Sequence, residues 1–211
     1  MTDRTEPRES ILQAATQRIL HYGYNKTTMN EIASDCSMSA GNIYRFFPSK
    51  IHIAEAMVRA FSAETHQTYA AIVGDETRPP DQKLKDFFRF RLERTFRLFE
   101  RHPKLMELAD FITREKPDTL AEERGQERLF IEQILSEGVR RGEFALAHPL
   151  SISADLVQCA TLKFRFPHLW TTELLDALEI ELERVLDLLF AGLKERQQPS
   201  PAQFAALRHK C

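Results

Sequence analysis

Residues 28–50 decide the fold. They read Thr28-Met29-Asn30-Glu31-Ile32-Ala33-Ser34-Asp35-Cys36-Ser37-Met38-Ser39-Ala40-Gly41-Asn42-Ile43-Tyr44-Arg45-Phe46-Phe47-Pro48-Ser49-Lys50. Thr28 and Glu31 have the spacing of a capping box, in which the threonine hydroxyl accepts the third helical amide and the glutamate reaches back. Ile32 and Ala33 follow as inward-facing residues, and Ser37-Met38-Ser39 forms a polar turn. Ser39 is placed to cap a second short helix, Ala40–Phe46, that carries Gly41, Asn42, Tyr44 and Arg45. The small residues at its start permit close approach to another surface. Tyr44, Arg45 and Lys50 supply donors suited to phosphates and base edges. The pattern is a helix-turn-helix, and the competing reading is a pair of short helices in an ordinary bundle. A core helix would rarely carry Gly41, Asn42 and Arg45 together, which favours the first.

Over about the first fifty-five residues the chain resembles the tetracycline-repressor (TetR) family of bacterial transcription regulators. The residues that carry the resemblance are Ile11, Ala14 and Ala15, Gly23-Tyr24, Thr27-Thr28, Ile32-Ala33, Ser39-x-Gly41-x-Ile43-Tyr44-x-Phe46-Phe47, and Ser49-Lys50. It departs from the family at Ser37, where glycine is usual, and at Cys36, where alanine is usual. A left-handed Ser37 would cost roughly 1 kcal/mol. The resemblance implies that Thr28, Ser39, Ala40, Gly41, Asn42, Tyr44, Arg45 and Lys50 face double-stranded DNA. It also implies a ligand-responsive regulator, expected to be a repressor. The shortness of the second helix leads to the expectation of a palindromic operator, and the phenylalanine-rich later helices to that of a small apolar or aromatic effector.

Composition points the same way. Seven glycines in 211 residues leave long unbroken segments, and no run of alternating β-branched residues occurs, so the expected class is all-α. No apolar run approaches the ~18 residues of a membrane span, and the polar start MTDRTEPRES has no signal-peptide character. A cytoplasmic protein is expected, with no membrane partner. Net charge is −2, with a small basic excess in residues 1–50, so the electrostatic share of any DNA affinity should be modest.

Prolines and glycines punctuate nine expected helices. The first runs over Arg8–Tyr22 and ends at Gly23, and the second and third are those above. The fourth runs over Lys50–Val73, the fifth over Asp81–Arg101, and the sixth from Pro103 to just before Pro117. A Thr119-Leu120-Ala121-Glu122 capping box opens the seventh, which reaches Arg141. The eighth lies between Pro149 and Pro167. The ninth, capped by Thr171 or Thr172, reaches Glu195. The expected division is a DNA-binding unit over 1–50, a ligand-binding and dimerisation unit over 51–196, and a loose tail over 197–211. The first unit alone would bury too little surface, so the fourth helix should pack on both.

The fifth helix has Leu84, Phe88, Leu92 and Phe96 on one stripe, with further aromatics off it, so it should be covered on more than one side. The phenylalanines either fill a core or line an apolar cavity. For the cavity the candidates are Phe61, Phe88, Leu92, Phe111, Phe130 and Phe164, with Lys163 or Arg165 able to orient an acidic group. The ninth helix carries Leu174, Leu178, Leu182, Val185, Leu189 and Leu193, widened by Leu175, Leu186, Leu188 and Phe190. One stripe suits the chain's own core. The second suits a homodimer through Leu156, Lys163, Leu174, Leu178 and Val185, unless all of them are core.

Cys36, Cys159 and Cys211 are widely spaced and form no CxxC; Cys36 and Cys159 are expected as buried small residues, the sharper alternative being a thiol-responsive trigger at Cys36. The scattered histidines offer no HxxxH or HExxH, and GxSxG, GxGxxG and the Walker pattern are absent from the sequence. No metal, cofactor or enzymatic activity is expected.

Overall fold

The computed structural model describes residues 5–170 and 173–194. All regular structure among them is helical: α1 Thr5–Tyr22, α2 Met29–Asp35, α3 Ala40–Ile43, α4 Lys50–Gly74, α5 Pro80–Arg101, α6 Leu105–Glu115, α7 Pro117–Arg140, α8 Leu150–Ala160 and α9 Leu175–Lys194. Short 3-10 turns at Leu162–Arg165 and Pro167–Leu169 link α8 towards α9. The all-α expectation holds.

Among the described residues, three apolar cores organise the fold. In the head, Ile11 and Ala15 of α1 meet Ile32 and Ala33 of α2, Ile43 of α3, and Ile53 and Ala56 of α4. In the body, Phe87, Phe88 and Leu92 of α5 pack with Ile131, Ile134 and Leu135 of α7 and with Leu178, Leu182 and Leu186 of α9. A third core lies at the joint, where Ile19 and Tyr24 meet Ala54 of α4 and Leu105, Leu108 and Ile112 of α6. α4 contributes to all three, through Ile53, Ala54 and Tyr69. α5 is central, as its several apolar stripes require.

The joint is also polar. Lys104 Nζ donates to the His21 carbonyl at 2.5 Å, and Asn25 N donates to Glu107 Oε2 at 3.3 Å. Gly23, at φ +93°, ends α1, and a Cβ there would stand 3.0 Å from the Glu107 carboxylate. α6 thus docks directly on the end of α1, a link the sequence pattern does not announce.

α1 begins at Thr5 rather than Arg8 and α6 at Leu105 rather than Pro103, and three further boundaries differ from expectation. α7 begins at Pro117, so Thr119 lies inside the helix and its hydroxyl donates to Glu55 Oε1 at 3.1 Å. A proline at the first helical position is pre-organised for helix and prevails over the capping pattern two residues later. α8 stops at Ala160 rather than running to Pro167, and the hydroxyl of buried Thr161 bonds back to the Val157 carbonyl at 2.9 Å. α3 holds regular α geometry only to Ile43, after which Arg45 N→Asn42 O (3.1 Å) and Phe46 N→Ile43 O (3.0 Å) continue the chain as a tighter turn. The proposed caps Thr171 and Thr172, and the tail 197–211, lie outside the described residues.

Candidate nucleic-acid interface and interior cavity

The capping box forms as read. Glu31 N donates to Thr28 Oγ1 at 3.3 Å, and Thr28 N donates to Glu31 Oε2 at 2.8 Å. The hydroxyl and amide of Thr28 hold the Glu31 carboxyl below the usual glutamate range. α2 ends in a Schellman arrangement: Met38 N→Ala33 O at 2.8 Å and Ser37 N→Ser34 O at 3.0 Å, with Ser37 left-handed at φ +54°. The departure at Ser37 therefore carries the strain that glycine would avoid. Ser39 then caps α3, accepting Asn42 N at 3.3 Å.

These turns fix which side of α3 faces outward. Ile43 is fully buried and pins the helix to the head core. Burial of such a side chain contributes about 1.5–3 kcal/mol. Tyr44 is 50% exposed, Arg45, Gly41 and Ala40 are exposed, and a Cβ on Gly41 would meet nothing within 4 Å. Asn42 is half-buried beside them. Behind this face, Arg18 clamps α1 to α2 through Asp35 (2.6 and 2.9 Å) and Glu31 (3.3 Å). Thr28, Ser39, Ala40, Gly41, Asn42, Tyr44 and Arg45 thus surround one short rigid segment.

Lys50 is the exception. Its ammonium turns inward, donates to the carbonyls of Tyr24 and Thr27 at 2.8 Å each, and lies 4.1 Å from the Tyr24 ring centroid. Burial lowers its pKa, against a smaller opposing pull from Glu31. The expectation that Lys50 donates to a phosphate is not met by this arrangement, because the carbonyls of Tyr24 and Thr27 already accept its hydrogen bonds.

A cavity of about 590 Å³ lies at the joint between head and body. Its apolar wall includes Leu20 of α1, Val58 of α4, Leu98 and Phe99 of α5, and Leu108 and Ile112 of α6. At its polar end stand His66, Arg91, Glu123, Glu127 and Arg165. Arg91 and Arg165 both donate to Glu127, and Arg91 Nη2 also reaches the Thr161 carbonyl at 3.2 Å. Burial works to raise the Glu127 carboxyl, but the two guanidiniums outweigh it and hold it below the usual range.

The cavity residues differ from those proposed. Phe61 is on the wall, under the Arg94 guanidinium at 4.3 Å. Phe88, Leu92 and Phe164 are fully buried core residues. Phe111 packs on Tyr24 with ring centroids 4.6 Å apart, and Phe130 on Tyr69 and His66 at 5.6 Å each. Aromatic count signals bulk, and it cannot tell a packed ring from one beside a void. Arg165 does reach the polar end, whereas Lys163 pairs with Glu173 at 3.1 Å and Glu181 at 2.6 Å. The buried pairs Arg91–Glu127 and Lys83–Glu137 carried no pattern that sequence reasoning caught, although their spacing on α5 and α7 puts each on the apolar face.

Among the proposed dimer residues, Leu178 is fully buried in the chain's own core and Val185 is half-buried against it. Leu156 (50%) and Leu174 (76%) are exposed, as are Ile152 (47%), Ile180 (52%) and Leu188 (76%). The inner stripe of α9 is therefore Leu178, Leu182, Leu186 and Phe190, and the outer apolar face is Ile180 and Leu188. Cys159 is exposed, contrary to the expectation that it is buried. Cys36 is half-buried with Sγ 3.7 Å from the Ser10 carbonyl, and burial pushes its thiol up. A reactive thiol needs a lowered pKa, so the geometry does not favour a redox trigger there.

Residues 11–57 match the family described as "Bacterial regulatory proteins, tetR family". The repressor KstR of Mycobacterium tuberculosis is 32% identical over 103 residues, 48% of this chain and 44% of that protein. The repressor DhaR of Mycobacterium sp. is 25% identical over 85 residues, 40% of this chain and 43% of that one. The chain thus spans less than half the length of the curated relatives it matches. Among solved structures, a TetR-family regulator from Mesorhizobium loti superposes with a TM-score of 0.71 at 17% identity, over 92% of this chain and 100% of that one. Thermus thermophilus FadR, in complex with lauroyl-CoA, superposes with a TM-score of 0.61 at 23% identity, over 92% and 98% of the two chains. The head, residues 11–57, is thus similar to the DNA-binding unit of the TetR family of bacterial regulatory proteins. The chain as a whole shares the helical fold of the solved structures.

Proposed function

We propose that the protein is a sequence-specific transcriptional regulator, acting as a repressor, that binds double-stranded DNA as a homodimer. The observation that carries this reading is the outward Tyr44 and Arg45 on a segment pinned by fully buried Ile43. Tyr44 is positioned to meet phosphate, and Arg45 and Asn42 to meet base edges or phosphate. Thr28 and Ser39 hold the geometry of the two helix starts. The division of labour falls near residue 50, with sensing and assembly in 51–196. KstR and DhaR, both repressors by name, support the direction of control.

A dimer follows from magnitude. Residues 40–46 span roughly 10 Å at ~1.5 Å per helical residue, enough for a few base pairs. Each good bidentate contact gives ~1–3 kcal/mol of discrimination, whereas specific binding needs ~4–10 kcal/mol over non-specific. Two heads on a palindrome double both the contacts and the sequence read. The exposed apolar faces of α8 (Ile152, Leu156) and α9 (Ile180, Leu188) offer the surface for it.

The joint cavity takes a small, mainly apolar effector. Its wall includes α1 and α4, so an occupant touches the head directly and shifts it relative to the body. The effector acts through unequal affinity for the two head positions. Titration of Tyr44→Phe and Arg45→Ala on matched and mutated operators tests the DNA reading. Tyr44→Phe should weaken all sequences about equally, and Arg45→Ala should also relax base preference. Unchanged affinity in both variants would overturn it.

A further inference from the structure

The polar end of the cavity specifies more than apolar bulk. Three atoms of wall residues are buried without a hydrogen-bond partner among the described residues: Glu123 Oε2, an acceptor, and Arg91 Nε and Arg94 Nε, both donors. Glu123 is 9% exposed and Arg91 5%. His66 Nε2 stands 3.9 Å from Glu123 Oε2, beyond hydrogen-bond range. Glu123 lies one turn before Glu127 on α7, and Arg91 pairs with Glu127, so Glu123 and Arg91 both stand beside neighbouring turns of α7. An unsatisfied buried polar atom costs about 1–3 kcal/mol, so each calls for a partner of opposite hydrogen-bonding sense.

Formal charge narrows the partner. Arg91 and Arg165 share Glu127, which leaves one positive charge, and Glu123 balances it when the His66 imidazole is uncharged. Arg94 has its own carboxylate in Glu64 at 2.7 Å. A charged ligand group would unbalance this buried set, and an unpaired buried charge is strongly unfavourable. A neutral group that both donates and accepts satisfies Glu123 Oε2 and Arg91 Nε together. The remaining wall is mainly apolar, reaches α1 at Leu20, and carries exposed Glu9 with Gln13 and Gln17 on its α1 side.

Building on the effector reading above, we propose that the cavity binds a neutral amphiphile, its apolar body against α1, α4 and α6 and a terminal hydroxyl or primary amide at Glu123 and Arg91. A volume near 590 Å³ is in the range of small-molecule sites. The charge balance selects against a free carboxylate or an ammonium on an otherwise identical body.

The test is calorimetric titration of the full chain at pH 8 with 1-decanol, decanamide, decanoate and decylammonium, with DNA affinity measured alongside. Decanol and decanamide should bind at least about tenfold more tightly than either ion. Glu123→Gln removes the balancing charge, and should improve decanoate relative to decanol by about tenfold or more. Ala109→Phe, which fills the apolar wall, should abolish decanol binding and provides a second variant. Decanoate binding as tightly as decanol to the wild type overturns the inference and leaves the effector reading standing. Decanol binding with unchanged DNA affinity upholds the inference and overturns the effector reading. Binding by none of the four overturns both.

Discussion

The ammonium of Lys50 sits 2.8 Å from the carbonyl oxygen of Tyr24. With its second bond to Thr27 O, also 2.8 Å, it ties the first residue of α4 to the chain leaving α1. Hydrogen bonds from a charged donor contribute about 1.5–3 kcal/mol each when well formed. Lys50→Met should therefore destabilise the fold by about 1–3 kcal/mol in denaturant unfolding. It should also lower DNA affinity on every sequence alike, by loosening the head. A variant as stable as the wild type that lost only affinity would return Lys50 to a phosphate-contact role.

Two glycines of α7 separate helix propensity from packing. A Cβ on Gly125 would meet nothing within 4 Å, whereas one on Gly138 would stand 2.0 Å from Phe144 Cδ2. Gly125→Ala should stabilise by about 1 kcal/mol. Gly138→Ala should destabilise by about 1–3 kcal/mol, since it forces a ring out of a packed core. Opposite shifts in urea midpoint are the expected result.

The Arg91–Glu127–Arg165 cluster sets an acid limit. A glutamate whose folded pKa is depressed adds stability above its unfolded value, about 4.3, and loses it as pH falls through the folded value. Unfolding free energy should therefore drop as the pH is lowered below about 4.3. Glu127→Gln should be less stable by about 3–5 kcal/mol at pH 7, because two buried guanidiniums lose their shared partner. Its stability should depend less on pH in the acid range. An equal acid slope in both proteins would remove Glu127 as the cause.

Assembly is tested on the outer face of α9. Leu188→Asp, at a site 76% exposed in the single chain, should leave the fold intact and convert a dimer into a monomer in sedimentation. Leu178→Asp would instead unfold the chain, because Leu178 is fully buried in its core. A wild type that is already monomeric at micromolar concentration would contradict the dimer proposal.

The head was the most legible part of the sequence. Thr28, Glu31, Ser37 and Ser39 act through local hydrogen bonds between near neighbours, which residue type and spacing specify. Long-range choices were not legible. Nothing near Phe88 or Phe164 tells that they meet other side chains rather than a void. Lys50 has the residue type of a phosphate donor, and its inward turn depends on carbonyls more than twenty residues earlier. The cavity's polar end joins α4, α5, α7 and a 3-10 turn, so its charge balance exists only after folding.

The central claim, a two-headed sequence-specific DNA binder, is tested most directly by selecting duplexes from a random-sequence pool with the purified full chain. The account predicts enrichment of a palindromic site whose half-sites are read on successive major grooves, and loss of that enrichment with Arg45→Ala. A selected pool no different from the starting pool would contradict it.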